Sequence, residues 1–566
     1  MPAEGLVLRG VAITMDPRRP EVEAVGIRGG VIEAVGSAAE ACAALGEGVE
    51  VVELGGGAAL PAFIDAHHHY SLAAFDAGTP DLHLPSGSSI ADVLGLVERA
   101  VGAGGGDGWL RLQGYDPAKL QEGRGPRVDE LDEVCPDRPL LLIAFSFHDG
   151  CLNARGLAEM GWDRGSADPP NGRLLRGRGG RLTGEVSEGA FFLAEARSRD
   201  SLLVRGEDAW MAACEAHGRA LLASGIVRVG DAAVAPAFER LYQRAAADGR
   251  LPVIVHQMPV AAASVLEPRF DGEPTGAGDA AAPVGPAKLF MDGAERCALC
   301  FSITQLARSG MATLRRAVGG AGLAGLRAGS RVRWKRGRDG LLHSGMLFWD
   351  QPTLDAAVSR AGERGLQVAQ HAIGNEAIAQ AVTALEHSGR ALEGLPGRPR
   401  LEHTMLLDDA LARRIGDAGA IAVVQPYFVY DFLGDAAALT PPPDPIRAKP
   451  LRTLLSSGVT LAGSSDYPVS HYDVLAAIQA AVTRRTRHDR VCEPDEALSV
   501  EEALRAYTVG GALALGVDHE TGTLEPGKRA DIVVLSDNPL RIAPDSLTDV
   551  RVLRTYTGGR LAYERS

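Results

Sequence analysis

The chain has 566 residues, of which 46% are hydrophobic and 23% are charged, and its net charge is −14 at pH 7. This composition is that of an ordinary folded protein, which excludes disorder, collagen-like repeats and a long coiled coil. At roughly 150 residues per domain, the length predicts three or four domains unless one large α/β barrel takes most of the chain. Because an acidic surface repels phosphate backbones and anionic lipid headgroups, we expect neither nucleic acid nor a membrane as a partner.

Targeting and redox signals predict a cytoplasmic protein. Glu4 stands where a secretory peptide is basic, and every apolar stretch is interrupted before the roughly 20 residues that are needed to span a bilayer. Seven cysteines are spread over the chain and predict no disulfide framework. Only Cys297 and Cys300 have CxxC spacing, and because no second pair completes a zinc site, we interpret them as structural.

The two ends of the chain consist of short Val/Ile-rich runs broken by glycine, which is typical of strands and turns. These runs are 5–14, 23–35, 50–54, 522–526, 527–535 and 549–563. Each end alone is too small to bury its apolar face. We therefore predict that the ends pair as one composite β-sandwich of residues 1–59 and 516–566, which also removes unpaired strand edges.

Between these ends, eight apolar runs are followed by helical segments, which is the pattern of a parallel sheet built from β-loop-α units. The runs are 60–69, 225–232, 252–258, 286–293, 366–374, 399–405, 421–427 and 459–469. Since eight strands close a (β/α)8 TIM barrel, we predict that fold over residues 60–515. The first connection is too long for one crossover and predicts an inserted lobe after the first strand, at about residues 84–215. The long segment 317–345 is predicted to be a lid or a mobile loop.

Barrels of this type carry their chemistry at the C-terminal ends of the strands, and the eight runs end in polar residues. The first run ends in DAHHH. Because alternate side chains in a strand share a face, His67 and His69 can both reach one ion while His68 points away. Later runs end in the further candidate ligands His371, His403 and Asp466. Four imidazoles and one carboxylate suit a divalent ion of the zinc type with a water in the open position.

The order of these motifs resembles the metal-dependent amidohydrolase superfamily, and more closely its amidohydrolase-3 or YtcJ-like branch, which includes N-substituted formamide deformylases. The resemblance spans nearly the whole chain. It rests on GVAITMD, LPAFIDAHHH, GIVRVGDA, AKLFMDG, HAIGNEAI, LEHT, SSDYPV and GTLEPGKRADIVVL, in that order. The segment HDGCLN, which begins at His148, and the later Thr183-Gly184-Glu185 resemble the inserted lobe of that branch.

The resemblance implies a role for each candidate ligand. His67 and His69 bind the more buried metal, His371 and His403 bind metal or orient substrate, and Asp466 is linked to the metal and moves the proton. For Lys288 the resemblance implies carboxylation by carbon dioxide, which is open to a desolvated lysine and gives a carbamate that bridges two metals. The alternative is an uncarboxylated Lys288 in a one-metal site. We therefore expect one or two divalent ions, zinc or another.

The implied reaction is hydrolysis of a non-peptide C–N bond, in an amide or formamide of a small molecule. A metal-bound hydroxide attacks, Asp466 moves the proton, and His403 or His371 stabilises the oxyanion. The alternatives are a heterocyclic deaminase or cyclic-amide hydrolase with one metal, a lyase on the same barrel, or a metal-binding protein without catalytic activity. Because related enzymes are often dimers, the resemblance also implies a homodimer.

Substrate-binding candidates lie in loops or at strand ends near the predicted barrel mouth. They are His148, Tyr427, Tyr430, Trp349, Phe348, His471, Arg296, Asp292 and Glu185. The chain departs from the branch at two places, with Asn375-Glu376 after HAIG and His68 in the middle of the histidine run. These departures leave the identity of the substrate undecided, but they do not affect the predicted metal site.

Overall fold

Eight parallel strands form the core of the computed structural model, which describes residues 5–46, 48–104, 108–204, 206–262, 264–294, 296–316, 332–433 and 442–566. Numbered β1 to β8 in chain order, they are Phe63–His68, Ile226–Val234, Ile254–Pro259, Ala287–Phe290, Val368–Ala372, Arg400–His403, Ile421–Val424 and Thr460–Gly463. Hydrogen bonds join them in two sheets, β3-β2-β1 and β4-β5-β6-β7-β8. Each strand overlaps one of the eight predicted runs, so the predicted α/β class is confirmed.

The strands are enclosed on both faces, and the two sheets meet at their edges. Every residue of β1, β4, β5, β6 and β7 is buried, as expected for parallel strands that are covered on both sides. The Asp466 N–H donates to the His67 carbonyl at 2.8 Å, which joins the end of β8 to β1. The Gly285 N–H donates to the Gln257 carbonyl at 2.6 Å, which joins the approach to β4 to β3.

The first predicted run, 60–69, is divided between two sheets. Leu60 and Pro61 belong to the end of a different strand, Glu50–Pro61, and His69 lies beyond β1 at the N-terminus of the helix Tyr70–Phe75. The chain passes from one sheet to the other at Ala62, whose N–H donates to the Asp531 carbonyl at 2.9 Å. The apolar character of the run is continuous because both strands are buried.

Helices connect the parallel strands, and several begin with a side-chain cap. Asp350, Asp408 and Asp473 each accept the backbone N–H of the third residue after them, which stabilises a helix N-terminus. The helices that follow the inserted segment are Glu207–Ala223, Pro236–Ala247, Ile303–Arg316, Gln351–Glu363, Asn375–Ser388, Asp409–Asp417, Leu451–Ser456, Val474–Thr483, Val500–Arg505 and Gly511–Ala514. Within the described ranges, no helix is both long and apolar enough to cross a membrane.

Both ends of the chain contribute to one seven-stranded sheet. In spatial order its strands are Arg560–Glu564, Val552–Thr557, Ile532–Leu535, Glu50–Pro61, Gly5–Ile13, Glu21–Arg28 and Val31–Gly36. The long strand Glu50–Pro61 pairs in parallel with Gly5–Ile13 and antiparallel with Ile532–Leu535, so it holds the two ends together. Strands from both ends are thus joined in one sheet, and the composite β-sandwich of residues 1–59 and 516–566 stays a prediction. Of the predicted runs 522–526 and 527–535, the first is not a strand and the second forms a strand only over Ile532–Leu535. Gly527, at φ +92°, turns the chain between them.

A five-stranded sheet lies between β1 and β2 in the chain, where the inserted lobe is predicted. Its spatial order is Leu110–Tyr115, Leu140–Ala144, Asp149–Leu152, Leu182–Glu188 and Gly172–Arg176. Its helices are Ile90–Gly102, Val128–Val134, Ala154–Glu159 and Gly189–Leu203. Phe191 and Phe192 of the last helix belong to one apolar cluster with Phe290 of β4. The inserted segment therefore reaches the C-terminal end of the parallel strands.

The connection between β4 and β5 carries a small antiparallel sheet. Leu342–Ser344 lies in its middle, with Leu299–Phe301 on one side and Lys335–Arg336 on the other. Residues 317–331 of the predicted lid or mobile loop 317–345 lie outside the described residues. The remainder, 332–345, contains the strands Lys335–Arg336 and Leu342–Ser344.

Candidate active site

The C-terminal ends of β1, β6 and β8 bring His67, His403 and Asp466 together. All three are buried, and one ligand atom of each lies within 4.8 Å of those of the other two. The His67 Nε2 atom is 3.4 Å from Asp466 Oδ1. Imidazole nitrogens and a carboxylate oxygen are the ligands that zinc-type ions prefer. The predicted ligands of three distant strands therefore share one site.

His69 reaches the same carboxylate from beyond the end of β1. Its Nε2 atom is 3.0 Å from Asp466 Oδ1, and its Nδ1 atom is 3.0 Å from the Ala232 carbonyl at the end of β2. The prediction that His67 and His69 reach one ion rests on alternation along a strand. In the structure His69 lies beyond β1, at the N-terminus of the next helix, and this position brings it to Asp466 after the end of β8.

Outer hydrogen bonds fix the orientation of the two buried imidazoles. His67 Nδ1 lies 2.5 Å from Glu402 Oε2, and Arg400 donates two hydrogen bonds of 2.9 Å to the two oxygens of Glu402. His403 Nδ1 lies 3.0 Å from Gln425 Oε1. Because each Nδ1 is hydrogen-bonded to an acceptor, each Nε2 keeps a lone pair for a ligand bond. The residues present therefore fit a divalent metal ion.

Burial keeps these imidazoles in the neutral form that binds metal. Burial holds the pKa of His67 well below its usual value and lowers the pKa of His403 to about 4. Burial would raise the pKa of Asp466, but the facing imidazoles of His67 and His69 hold it below its usual value. The site thus combines neutral nitrogen ligands with an ionised carboxylate.

His371, at the end of β5, completes the group of imidazoles. Its ring centroid is 4.5 Å from that of His403, and burial holds its pKa well below the usual value. Its Nε2 atom is buried and has no hydrogen-bond partner among the described residues. The nearest carboxylate oxygen that faces it, Asp292 Oδ1, is 3.8 Å away. A buried ring nitrogen without a partner is suited to a metal or a substrate.

Lys288 of β4 lies in the same cavity, where the predicted carbamate would be placed. Its side chain is buried, and its Nζ atom is 4.9 Å from the centroid of the Phe290 ring. Burial lowers the pKa of Lys288 to about 8, although the Glu402 and Asp466 carboxylates oppose that change. The ammonium is therefore easier to deprotonate than an exposed lysine.

These groups line one cavity of about 940 Å³. Much of the remaining wall is aromatic, with contributions from Phe145, Phe147, Phe191, Phe192, Phe290, Phe428 and Phe432. Small-molecule sites are typically concave and apolar, with a few polar groups that fix the orientation of the ligand. The cavity can therefore hold a small molecule with an apolar substituent next to the candidate metal ligands.

His148 is the predicted substrate-binding residue that lines this cavity. Its Nδ1 atom is 2.7 Å from Glu188 Oε2, and its ring centroid is 5.5 Å from that of His371. Burial lowers the pKa of His148, but Glu188 outweighs burial, so that this pKa lies above its usual value. Glu188 is completely buried and has a left-handed φ of +51°, a conformation that nothing in the sequence indicates.

The other predicted substrate-binding residues are not part of the described cavity wall. They are Tyr427, Tyr430, Trp349, Phe348, His471, Arg296, Asp292 and Glu185. Asp292 instead accepts the N–H groups of Ala298, Ile373 and Gly374 at 2.8 to 3.0 Å, and burial raises its pKa to about 7. Polar residues at strand ends also bind loop backbone, which is why position alone does not identify a substrate contact.

Two of these residues show what replaces the predicted contact. Trp349 donates its Nε1–H to the Phe290 carbonyl at 2.7 Å and so fixes the end of β4. Tyr427 packs against Tyr430 and His471, with ring centroids 5.3 and 6.2 Å away. Both residues therefore contact residues outside the cavity wall or the backbone behind it, and neither lines the cavity.

Lys449 is a cavity residue that the sequence does not reveal. It is 3% exposed, and its Nζ atom lies 4.2 Å from the centroid of the Phe428 ring. That Nζ atom has no hydrogen-bond partner in the described part of the chain. Lys449 precedes Pro450 in a segment without a motif or a periodic pattern, so no signal distinguishes it from an exposed lysine.

Comparison with known proteins identifies the family. The Amidohydrolase family matches residues 50–563. The chain belongs to this family. It is 29% identical over 573 residues to the N-substituted formamide deformylase of Arthrobacter pascens, covering 99% of this chain and 98% of that protein. It is 27% identical over 585 residues to the putative amidohydrolase YtcJ of Bacillus subtilis (strain 168), covering 98% and 99%.

The fold of this amidohydrolase is also similar to that of solved structures. An uncharacterized metal-dependent hydrolase from Pyrococcus horikoshii OT3 superposes with a TM-score of 0.68 and 21% identity, covering 96% of this chain and 99% of that one. The predicted superfamily and its YtcJ-like branch are thus confirmed, and the chain is a hydrolase.

Proposed function

We propose that this amidohydrolase cleaves the C–N bond of a small-molecule amide or formamide in the aromatic cavity. The observation that carries the proposal is the buried group of His67, His403 and Asp466, with both imidazoles oriented by outer hydrogen bonds. The deformylase of Arthrobacter pascens, 29% identical along nearly its whole length, supports the choice of bond. The apolar wall favours a substrate with a hydrophobic substituent on the amide.

We infer that the two parallel sheets close into the (β/α)8 barrel that is typical of these enzymes. The hydrogen bonds from Asp466 to His67 and from Gly285 to Gln257 support closure at both open edges. The sheet formed by the chain ends would then be a separate unit, 1–59 with 516–566, and the inserted lobe would cover about 84–215. In such a barrel the cavity lies at the C-terminal face, where the chemistry of the fold takes place.

The ligand set supports a divalent ion, with zinc in first place. His67, His69, His403 and Asp466 would hold it, since their nitrogens and carboxylate oxygen converge. When bound, such an ion lowers the pKa of water and polarises the carbonyl of the substrate. The number of ions depends on Lys288: a carbamate on its nitrogen would favour two, and the free amine would favour one.

The reaction requires one proton acceptor and one group that stabilises negative charge. Asp466 takes a proton from the attacking water as the C–O bond forms, and returns it to the amine nitrogen as the C–N bond breaks. His371, whose Nε2 atom is without a partner in the described region, donates a hydrogen bond to the carbonyl oxygen as that oxygen gains charge. His148, held by Glu188, orients the substituent of the substrate.

A substrate panel tests the proposed bond. The purified protein is supplied with Zn²⁺ and assayed for amine release from N-formyl amines, matched N-acyl amines and cyclic amides, and for ammonia release from heterocyclic amidines. We expect amine release from the formyl or acyl compounds, with higher kcat/KM for those that carry an aromatic substituent. Ammonia release from the amidines alone would replace the proposal with a deaminase.

A further inference from the structure

The connection between β4 and β5 carries a second set of metal-binding side chains. Leu299–Phe301 and Leu342–Ser344 pair antiparallel, with Cys300 directly opposite His343. Directly opposed residues have their side chains on the same face, about 5 Å apart at Cβ. Asp339 lies in the turn before the second strand, and one ligand atom each of Cys300, Asp339 and His343 lies within 4.8 Å of the others. We call these three residues the hairpin cluster.

The imidazole of the hairpin cluster is oriented in the way that is typical of metal sites. His343 Nδ1 is 2.8 Å from Glu376 Oε1, and its Nε2 atom is 3.1 Å from Asp339 Oδ2. A carboxylate on one ring nitrogen fixes the tautomer and leaves the other nitrogen for the ion. Glu402 has the same relation to His67 in the cavity.

The backbone around the cluster is fixed by residues that depart from the YtcJ-like pattern. Asn375 accepts the Cys300 N–H at 3.1 Å and donates to the Cys300 carbonyl at 2.8 Å. Gly337 leaves the space in front of the ligands open, since a Cβ atom there would lie 2.5 Å from Asp339 Oδ1 and 2.6 Å from His343 Nε2. Asn375 and the adjacent Glu376 thus both serve this cluster.

The charges of the cluster favour a cation. Two carboxylates, Asp339 and Glu376, face one imidazole, and within the described ranges neither forms an ion pair with a lysine or arginine. The group therefore stays negative even when His343 is protonated. Burial, with Glu376 and Asp339, raises the pKa of the Cys300 thiol to about 11, so a bound metal would be needed to make it a thiolate at neutral pH.

We propose that Cys300, Asp339 and His343 bind a divalent metal ion of the zinc type, and that Glu376 orients His343 for it. A thiolate, an imidazole and a carboxylate suit Zn²⁺ or Co²⁺, whereas Mg²⁺ and Ca²⁺ prefer oxygen ligands alone. The ion fastens the strand Leu342–Ser344 to the strand Leu299–Phe301 and to the turn that carries Asp339. This site is distinct from the cavity, whose proposed ligands include no cysteine.

Cobalt substitution tests the proposal, because a thiolate ligand gives bound Co²⁺ a near-ultraviolet charge-transfer band that nitrogen and oxygen ligands do not give. The wild-type protein, Cys300→Ser and Cys297→Ser are stripped of metal and titrated with Co²⁺. The two variants are matched, since Cys297 is three residues away and lines the cavity. We expect the band in the wild type and in Cys297→Ser. In Cys300→Ser we expect no band, and one bound Co²⁺ ion per chain fewer than in the wild type.

A second variant covers the case in which the loss of Cys300 disturbs folding. Gly337→Ala keeps all three ligands and places a methyl group against two of them. We expect it to weaken Co²⁺ binding at this site by at least 10-fold, with circular dichroism like that of the wild type. The proposal is overturned if the wild type shows no band, if only Cys297→Ser removes it, or if Gly337→Ala binds Co²⁺ as tightly as the wild type. None of these outcomes depends on hydrolysis.

Discussion

The cavity group and the hairpin cluster use similar side chains but are built in different ways. In the cavity, His67, His403 and Asp466 come from strands that are far apart in the chain, and all are buried. In the hairpin cluster, Cys300 and His343 are neighbours through strand register, and the third member, Asp339, is exposed. Burial strengthens electrostatic interactions and excludes water, so the first arrangement suits catalysis and the second suits a structural ion.

The oriented imidazoles show the same contrast. Glu402 is completely buried and is itself held by Arg400. Glu376 is half-buried and sits at the start of a helix. We therefore expect the contact between carboxylate and histidine to contribute differently to the free energy of unfolding at the two sites. Substitution of each carboxylate measures that difference.

The largest effect is expected for Asp466→Asn. Because the amide cannot take up a proton, we expect kcat to fall by about 10²- to 10⁴-fold while the fold is kept. Amine release and circular dichroism are the measurements. Asp339→Asn is the matched change in the hairpin cluster, and a loss of the same size there would contradict the separation of the two sites.

A smaller effect separates the two orienting carboxylates. Glu402→Gln leaves the buried Arg400 guanidinium without a charged partner, so we expect the free energy of unfolding to fall by about 3–5 kcal/mol. Glu376→Gln changes a half-buried pair, and we expect a loss below about 1 kcal/mol. Chemical denaturation of the metal-free proteins gives both values. Equal losses would mean that burial does not distinguish the two sites.

Lys449→Met is expected to change stability in the opposite direction. Removing a buried amino group that has no hydrogen-bond partner in the described region should raise the free energy of unfolding by about 0.5–2 kcal/mol, as is typical where a site is strained for function. The same variant should lower kcat/KM, because the cavity loses a hydrogen-bond donor. Stability is measured by chemical denaturation, with Lys528→Met as an exposed control. A variant of unchanged stability and activity would contradict a role in the cavity.

The sequence predicted which candidate ligands line the cavity better than it predicted the rest of the cavity wall. His67, His371, His403 and Asp466 lie at or just after the ends of buried strands, and such strands are visible as apolar runs. Glu188, at the end of a strand, and Lys449 both have left-handed φ values of +51°, which no pattern in the sequence marks. Strand register is equally hard to predict from the sequence. Cys300 and His343 lie in three-residue strands, which are too short to show alternation, so their proximity is visible only in the structure.

The fold shows a similar division. The eight parallel strands follow from apolar runs, because burial on both faces requires continuous hydrophobicity. The division of 60–69 between two sheets does not follow, since both parts are equally apolar. The pairing of the chain ends is predictable from their small size, but the order of the strands depends on how Glu50–Pro61 reaches partners on both sides.

The most direct test of the central claim is metal dependence of amide or formamide hydrolysis in the Cys300→Ser variant, in which the hairpin cluster lacks its thiol. The metal-free variant is titrated with Zn²⁺ while amine release from the best substrate of the panel is followed. We predict no hydrolysis without metal, and full activity after one equivalent, or after two if Lys288 is carboxylated. Undiminished hydrolysis by the metal-free protein, or none after excess Zn²⁺ is bound, would contradict the account.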